Sequence, residues 1–274
     1  MTNNSAPAER YGLVGHPVHH SRSPFIHSLF ARQTGQRITY ELIDATPSDF
    51  EAAVRGFGAA GGRGLNVTVP HKEAACALMD ELSEAARLAG AVNTISIDRD
   101  RLRGDNTDGV GFVRDVTANQ GQNLEGRTIL LFGAGGAARG IVAPVLAERP
   151  AKLVIANRTR QRAVDLAAHF GSPPQIEIVA FDELGDLPAF DVLVNASSAG
   201  LKGETTPFPG SLVGPESFCY DMVYGPGGTP FVAWAREHGA RRAVQGWGML
   251  VRSEEHTSEL QSHLNLVCRL LLEK

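Results

Sequence analysis

A glycine-rich run in the middle of the chain has the residue types that bind a pyrophosphate. It reads GAGGAA from 133 to 138, which is the G-x-G-x-x-A form, placed after an apolar run and before a helical pattern. Gly133 permits a tight turn, Gly135 lets the backbone approach a ligand, and Ala138 allows close packing of helix and strand. Although such turns also occur without a ligand, this context predicts a dinucleotide site. We expect the cofactor to contact Gly133, Ala134, Gly135, Gly136 and Ala137.

The residues after the next predicted strand select between the two nicotinamide dinucleotides. An NAD-dependent enzyme would place Asp or Glu there to bind the ribose hydroxyls, but this chain has Asn157, Arg158 and Thr159. The Arg158 cation attracts a 2′-phosphate, and Asn157 and Thr159 can donate hydrogen bonds to it. Arg162, one helical turn further on, either adds a second positive charge or is an ordinary solvated helix residue. The sequence therefore favours NADP over NAD.

Two successive strand and helix patterns must position these residues. The first half of the chain predicts strands at 11–15, 39–43 and 64–69, and helices beginning near Ser23, Ser48 and Pro70. Ser48 and Glu51 have the spacing of a capping box. A helix over 108–119 leads to a second pattern, with strands at 128–132, 152–156 and 191–195. Alternating strands and helices indicate parallel βαβ units, so we predict an α/β fold with two domains and a boundary near residue 110.

Seven segments in a fixed order carry a family resemblance. They are SRSP at 21–24, NVTVPHK at 66–72, AVNT at 91–94, GDNTDG at 104–109, the glycine run, NRT at 157–159 and YDMVY at 220–224. Together they resemble the shikimate dehydrogenases over residues 11–251. The resemblance implies an N-terminal α/β substrate domain with a mostly parallel sheet over 1–110, a Rossmann-type NADP-binding domain over 111–246, and a C-terminal return segment over 247–274. It also implies the reversible NADP-dependent reduction of 3-dehydroshikimate to shikimate, in chorismate and aromatic amino-acid biosynthesis.

Lys72 and Asp108 are the expected catalytic pair. A cation beside a carbonyl can donate a proton as hydride reaches the carbon, which suits Lys72. The carboxylate of Asp108 could hold that ammonium group in place. The family resemblance implies the same pair. Each residue also has an ordinary interpretation, Lys72 as a surface lysine at a helix start and Asp108 as a helix N-cap, but their combination favours catalysis.

The expected substrate is a cyclohexene carboxylic acid with several hydroxyls, so its site needs donors and acceptors. Ser21 and Ser23 suit the carboxylate, or alternatively cap the helix that follows. Thr68 and Asn93 suit ring hydroxyls or the carbonyl, and Asn93 alternatively braces a turn. The resemblance places around the substrate Ser21, Ser23, Thr68, Lys72, Asn93, Asp108 and Tyr224.

On the cofactor side, Met222 and Gly246 correspond to family positions beside the nicotinamide ring, and the loop from Asn195 to Gly200 resembles the one near the nicotinamide ribose. Each is also compatible with ordinary loop structure. Two rival functions stay open. A quinate/shikimate dehydrogenase often prefers NAD, which Arg158 disfavours, and a non-catalytic NADP-binding regulator would not need the Lys72 and Asp108 pair.

Composition argues against several classes of protein. The net charge is −4 over 274 residues, without a basic stripe, so we expect no nucleic-acid partner. No apolar run approaches the roughly 18 residues that span a membrane, and we expect a cytoplasmic monomer or homodimer whose partner is its small-molecule substrate. Cys76, Cys219 and Cys268 are too few and too dispersed for a disulfide framework or a zinc site. The histidines at 16, 19 and 20 have no evident acidic or thiol partner, so we expect no metal.

The resemblance stops after Val251. The family continues through a Gln-Ala-Ala segment whose Gln contacts substrate, whereas this chain has Ser253 at the Gln position. The string RSEEHTSELQSH at 252–263 resembles a codon-by-codon translation of a common sequencing-adapter sequence. We therefore hypothesise that the chain is non-native from about Arg252. The alternative is a divergent tail in which the leucines between 260 and 272 form an amphipathic helix.

Overall fold

The computed structural model describes residues 7–197 and 208–261, which form two units. The first unit contains the described residues up to Arg87, the segment Ala91–Thr107 and the described residues from Ser253 onward. The second contains Leu88–Gly90 and the described residues between Asp108 and Arg252. The chain thus leaves the first unit after Thr107 and returns to it at Ser253.

The first unit is built on a mixed sheet of six strands. They are β1 (Glu9–Gly15), β2 (Ile38–Asp44), β3 (Gly62–Val67), β4 (Glu81–Leu82), β5 (Thr94–Asp98) and β6 (Arg101–Asp105). Their order in the sheet is β2-β1-β3-β5-β6-β4. β1 is parallel to β2 and β3, and β4 is parallel to β6, whereas β5 is antiparallel to both β3 and β6. The sequence predicted the parallel part but not the hairpin of β5 and β6. The helices are α1 (Ser23–Thr34), α2 (Phe50–Ala59), α3 (Lys72–Leu78) and α4 (Glu84–Ala89).

Helix α2 packs against the sheet through one apolar face. Its buried residues Phe50, Val54 and Phe57 recur at the spacing of one helix face. They join Leu65 and Val67 of β3 in one apolar cluster. The predicted capping box of this helix is wrong. α2 begins two residues later than Ser48, without a side-chain cap, and Glu51 instead accepts a 2.8 Å hydrogen bond from Arg55, one turn along.

The second unit is built on a parallel sheet whose strands are β7 (Thr128–Phe132), β8 (Lys152–Ala156), β9 (Ile176–Val179), β10 (Phe190–Asn195), β11 (Val213–Asp221) and β12 (Arg242–Gln245). Their order in the sheet is β12-β11-β10-β7-β8-β9. The helices are α5 (Asp108–Arg114), continued by a π-helical turn (Asp115–Asn119), α6 (Gly136–Ala147), α7 (Arg160–His169) and α8 (Pro230–Glu237). The last helix, α9 (Trp247–Gln261), begins in this unit and ends in the first. Short 3-10 turns cover Phe181–Asp186 and Gly210–Leu212.

This strand order is that of a dinucleotide-binding sheet, in which the direction of winding reverses between the first strand of the unit, β7, and β10. Both faces of β7 are buried, because Ile129 and Leu131 enter one apolar cluster and Leu130 and Phe132 enter another. The predicted bounds of β7 and β8 and of the helical segment over 108–119 are confirmed. The predicted α/β fold class is also confirmed.

Helix α9 runs through the point where the family resemblance stops. It begins at Trp247, in the second unit, and continues across Arg252 to Gln261. The described part of the tail therefore has helical backbone, as the alternative interpretation requires. The leucines on which that alternative depends lie outside the residues whose side chains the structure describes.

Candidate active site

The glycine turn lies where the winding of the parallel sheet reverses, which is where ligands bind in such sheets. Gly133 has φ +109°, and a Cβ there would lie 3.0 Å from the backbone carbon of Ala196, after β10. Only glycine fits this approach. A Cβ at Gly135 would meet no atom of the described residues within 4 Å. The turn is thus closed toward the sheet and open toward the N-terminus of α6, as binding of a pyrophosphate requires.

The four residues predicted to recognise the 2′-phosphate lie at the end of β8 and the start of α7. Arg158, Thr159 and Arg162 are exposed, and Asn157 is half-buried. Asn157 Nδ2 donates a 2.8 Å hydrogen bond to the Thr159 carbonyl, and the Arg162 amide donates one of 3.0 Å to the same carbonyl. The turn is therefore braced from within, and it presents the Arg158 side chain at the surface.

The ends of β10, β11 and β12 hold the residues predicted to lie near the nicotinamide. The Met222 amide donates to the Asn195 carbonyl (2.9 Å), and a Cβ at Gly246 would lie 2.6 Å from the Met222 carbonyl oxygen. Tyr224 packs on Trp247 with 4.3 Å between ring centroids. The loop beyond Ser197, from Ser198 to Gly200, lies outside the described residues.

Sequence reasoning missed one residue in this region. The carboxylate of Asp221, at the end of β11, is buried and accepts hydrogen bonds from Asn195 Nδ2 (2.9 Å) and the Val223 amide (3.0 Å). Burial raises the pKa of Asp221 to about 6, against the lowering effect of its hydrogen bonds. The available signal was an acidic residue directly after a run of buried strand residues.

In the first unit, Ser21 and Ser23 lie together at the start of α1. The Ser21 hydroxyl donates to the Ser23 hydroxyl (3.1 Å) and accepts the Ser23 amide (3.2 Å). Ser23 is buried and Ser21 half-buried. The pair thus presents two adjacent hydroxyls at the helix start. The alternative that these serines cap α1 is wrong, because the N-cap is Arg22 and no side chain caps the helix there.

Thr68 and Lys72 lie on the segment that joins β3 to α3. The Thr68 amide donates to Val14 (3.0 Å), its carbonyl accepts the His71 amide (3.0 Å), and the Lys72 carbonyl accepts the Val92 amide (2.8 Å). Both side chains are half-buried. The main chain around Lys72 is therefore held by β1 through Thr68 and by the Val92 amide at Lys72 itself.

Asp108 is the first residue of α5, in the second unit, and it is buried, 4% exposed. Lys72 belongs to the first unit. Their pairing stays a prediction.

Asn93 is more deeply involved in internal bonding than the sequence indicated. Its Oδ1 accepts hydrogen bonds from the Thr107 amide (2.9 Å) and the Thr94 hydroxyl (2.9 Å). Its Nδ2 donates to the Thr107 hydroxyl (2.9 Å) and to the Ser253 hydroxyl (3.2 Å). The turn-bracing alternative is therefore observed, and a bound substrate would have to exchange with these partners.

Helix α9 inserts polar side chains into this part of the first unit. The Ser253 hydroxyl lies 2.7 Å from that of Thr107, and the Thr257 hydroxyl lies 2.9 Å from that of Thr94. Glu254 is 3% exposed, and its Oε2 is buried without a hydrogen-bond partner among the described residues. Burial raises the pKa of Glu254 to about 8, although a hydrogen bond with the Ser23 side chain opposes this rise.

The histidine cluster has an acidic neighbour that the sequence interpretation excluded. Asp44 Oδ1 lies 2.6 Å from His16 Nδ1, and Asp44 Oδ2 lies 3.0 Å from His19 Nε2. The expectation that no acidic residue accompanies these histidines is wrong, because Asp44 at the end of β2 comes from a distant part of the sequence. Within the described residues, no group of three or more His, Cys, Asp or Glu is arranged to hold a metal ion. None of the helices in these described ranges combines the length and the hydrophobicity that a membrane span needs.

Two family models match the chain. A shikimate dehydrogenase substrate binding domain matches residues 13–95, and a shikimate / quinate 5-dehydrogenase domain matches residues 115–202. Among curated relatives, a shikimate dehydrogenase (NADP(+)) of Alkalilimnicola ehrlichii is 52% identical over 243 residues, which cover 89% of each chain. A shikimate dehydrogenase (NADP(+)) of Aeromonas salmonicida is 51% identical, covering 89% of this chain and 88% of the relative.

Solved structures show the same similarity. A shikimate dehydrogenase from Aquifex aeolicus superposes with a TM-score of 0.82 at 30% identity, covering 94% of each chain. A shikimate 5-dehydrogenase from Thermus thermophilus, in complex with NADP(H) and shikimate, superposes with a TM-score of 0.80 at 32% identity, covering 93% of this chain and 94% of the other.

Proposed function

The chain belongs to the shikimate dehydrogenase family, and on that premise we propose that it catalyses the reversible NADP-dependent reduction of 3-dehydroshikimate to shikimate. This makes it an oxidoreductase acting on a CH-OH group in chorismate and aromatic amino-acid biosynthesis. The observation that carries the proposal is the 52% identity to an NADP(+)-dependent relative over 89% of each chain. The geometry of the glycine turn and the exposed Arg158 are consistent with it.

The cofactor NADP would supply or accept the hydride, and the residues of the chain would hold it. We propose that the backbone from Gly133 to Ala137 binds the pyrophosphate, because the turn is open on that side. Arg158, with Arg162, binds the 2′-phosphate, assisted by Asn157 and Thr159. Met222 and Gly246 lie beside the nicotinamide ring.

Lys72 is the proposed general acid for reduction and the general base for oxidation. Its ammonium group donates a proton to the carbonyl oxygen as hydride reaches the carbon, and Asp108 orients it and compensates its charge. Support comes from the fixed main chain at Lys72 and from the burial of Asp108 at a helix start. Ser21 and Ser23 bind the substrate carboxylate, and Thr68, Asn93 and Tyr224 bind the ring substituents.

The domain limits of 1–110, 111–246 and 247–274 are likewise proposed as functional divisions, with the first binding substrate and the second binding NADP. A cytoplasmic location and a monomeric or homodimeric state belong to the same proposal. No nucleic acid or membrane takes part in it.

Initial rates with shikimate or quinate, each with NADP or NAD, test the proposed reaction. We expect turnover with shikimate and NADP to exceed the other three combinations. Preferred turnover of quinate with NAD would favour the rival quinate/shikimate dehydrogenase. NADP binding without turnover of either substrate would favour a regulator.

Lys72→Ala tests the acid/base role. We expect kcat to fall about a thousandfold with the Kd for NADP unchanged, in the range that general acid–base catalysis contributes. Lys152→Ala is the matched control, because Lys152 is a half-exposed lysine in an ion pair with Glu177 (2.7 Å) on β8 and β9. Equal kcat in the two variants would remove Lys72 from the mechanism.

Arg158→Ala tests cofactor selection. Loss of a cation that binds the 2′-phosphate should raise the KM for NADP about tenfold or more and leave the KM for NAD unchanged. Arg149→Ala is the control, since Arg149 is an exposed arginine paired with Glu125 (2.6 Å). If both KM values rise in parallel, Arg158 does not select the phosphate.

We further propose that residues from about Arg252 derive from a sequencing adapter and are not native to the enzyme. Support comes from the string RSEEHTSELQSH at 252–263, which resembles the translated adapter and begins where the family resemblance stops. Resequencing of the locus tests the proposal. An uninterrupted genomic read that encodes 252–274 in frame would establish the divergent helical tail instead.

A further inference from the structure

Asp221 is a fully buried carboxylate to which the proposed reaction gives no role. Its Oδ1 accepts hydrogen bonds from Asn195 Nδ2 (2.9 Å) and from the Val223 amide (3.0 Å). Asn195 and Asp221 are the last residues of β10 and β11 and are register partners in the parallel sheet. One carboxylate oxygen therefore ties together the ends of two neighbouring strands, at the edge where ligands bind.

Through Asn195, the Asp221 carboxylate is linked to the backbone that packs against the glycine turn. Asn195 donates through Nδ2 to Asp221, so its Oδ1 is oriented to accept the Ser197 amide (3.1 Å) and the Ser197 hydroxyl (2.7 Å). The Ser197 amide nitrogen lies 3.1 Å from the position of a Cβ on Gly133. Asp221 thus fixes the Asn195 side chain, which in turn fixes the backbone that packs against the glycine turn.

The Asp221 carboxylate also fixes the Met222 main chain. The Val223 amide is held by Asp221, the Met222 amide donates to the Asn195 carbonyl (2.9 Å), and the Met222 carbonyl faces Gly246 at 2.6 Å from the position of a Cβ there. The peptide groups on both sides of Met222 are therefore fixed. A displacement of the Val223 amide would move Met222, the residue proposed to contact the nicotinamide.

The hydrogen bonds of Asp221 have the strength that such positioning needs. Charge-assisted hydrogen bonds are shorter and stronger than neutral ones. The Thr229 hydroxyl, the Val223 amide and the Asn195 amide all favour the ionised form of this carboxylate. The Asn195 donor comes from β10 and the Val223 donor from the segment after β11, and both act on Oδ1, whereas Oδ2 is buried without a partner among the described residues.

We infer that Asp221 is a positioning residue for the nicotinamide end of NADP, acting through the Val223 amide on Met222 and through Asn195 on Ser197. It is not a catalytic residue, because it acts on the ligand only through these neighbours. The inference rests on the proposed function, since that proposal places the nicotinamide beside Met222.

The experiment measures two dissociation constants on the full 274-residue chain, without substrate. One ligand is NADP, and the other is adenosine 2′,5′-bisphosphate, which has the 2′-phosphate but no nicotinamide. In Asp221→Ala we expect the Kd for NADP to rise about tenfold and that for the bisphosphate to stay within about twofold of the parent value. In Asp221→Asn we expect a rise of about threefold for NADP alone, because the amide oxygen can still accept the Val223 hydrogen bond.

Asp191→Ala is the matched control. Asp191 lies near the opposite end of β10 and accepts hydrogen bonds from the Thr128 amide (2.8 Å) and the Thr128 hydroxyl (2.8 Å). Its replacement should lower the melting temperature and leave both constants unchanged. A comparison of the two variants therefore separates the effect of lost stability, expected in both, from the effect on NADP binding, expected only in Asp221→Ala.

Parent-like NADP affinity in Asp221→Ala, or an equal loss for both ligands, would overturn the inference. If Asp221→Ala does not fold, Asp221→Asn decides, and parent-like constants for NADP in that variant overturn it as well. Failure of the proposed function is distinguishable, because it shows as absence of shikimate oxidation in the unsubstituted chain, which the two titrations do not require.

Discussion

Two buried carboxylates, Asp115 in the second unit and Glu254 in the first, differ in how fully their oxygens are hydrogen-bonded. Asp115 Oδ2 accepts the Tyr220 hydroxyl (2.6 Å), and its Oδ1 accepts Asn119 Nδ2 (2.7 Å). Glu254 has a hydrogen bond with Ser23 but leaves Oε2 buried and unpaired within the described residues. A buried charge is tolerated when its oxygens are satisfied and is costly when one is not.

The difference follows from where the partners come from. The π-helical turn that begins at Asp115 brings Asn119 back toward its carboxylate, and Tyr220 arrives from β11. These residues lie in the part of the chain that follows the family. Glu254 follows the point where the resemblance ends, and one of its oxygens has no partner among the described residues. An unpaired oxygen is not confined to that segment, because Asp221 Oδ2 is also buried without a partner there.

Asp115→Ala should give the largest effect. It leaves the Tyr220 hydroxyl buried without its acceptor and removes a partner of the exposed Asn119 amide, at a cost of about 3 kcal/mol in the free energy of unfolding. Tryptophan fluorescence during urea denaturation is a suitable probe, because Trp234 and Trp247 both lie in the second unit. Asp115→Asn keeps an acceptor oxygen and should cost less. An equal loss in both variants would show that cavity formation, not hydrogen bonding, dominates.

Glu254→Gln should have a smaller effect, and one that depends on pH. The pKa of Glu254 is raised to about 8 in the folded chain, so the folded state binds more protons than the unfolded state between about pH 4.5 and 8. Stability is therefore lost as pH rises through that window. The neutral amide removes this loss and should stabilise the first unit by about 2 kcal/mol at pH 8 and by less at about pH 6.5.

Far-UV circular dichroism during urea denaturation at these two pH values measures this gain. Asp221 and His27, whose pKa values are also shifted in the folded chain, are present in both the parent and the variant, so their contributions cancel in the difference between the two. A gain that is the same at both pH values would contradict a raised pKa for Glu254.

Replacing Ser253, Glu254 and Glu255 together by Gln, Ala and Ala gives the segment that the family resemblance implies, and it should change the free energy of substrate binding by about 1.4 kcal/mol, the smallest of the three effects. It removes the carboxylate that bonds Ser23 and places an amide at the proposed substrate site. We expect the KM for shikimate to fall about tenfold, with the KM for NADP unchanged. If the KM for shikimate stays at the value of the unsubstituted chain, Ser253, Glu254 and Glu255 do not impair the substrate site.

Sequence reasoning predicted the second unit better than the first. β7 and β8 have the predicted bounds because both are short, continuous apolar runs that end at glycine or polar residues, as strands buried on both faces do. The hairpin of β5 and β6 escaped prediction because its residues include Asp98, Arg101 and Arg103, which are exposed and carry little apolar pattern. The capping box at Ser48 failed because local spacing allows several helix starts and the packing of Phe50 selects one of them.

By itself the sequence determined the first strand, helix and strand of the second unit, the glycine turn, the arginine expected to select NADP, and the family to which the chain belongs. These depend on residue type and spacing within short segments. Only the tertiary structure showed that Asp44 lies between His16 and His19, that Asp221 ties β10 to β11, and that Glu254 is buried against Ser23. Each of those contacts joins residues far apart along the chain or depends on burial, and periodicity along one segment contains no information about either.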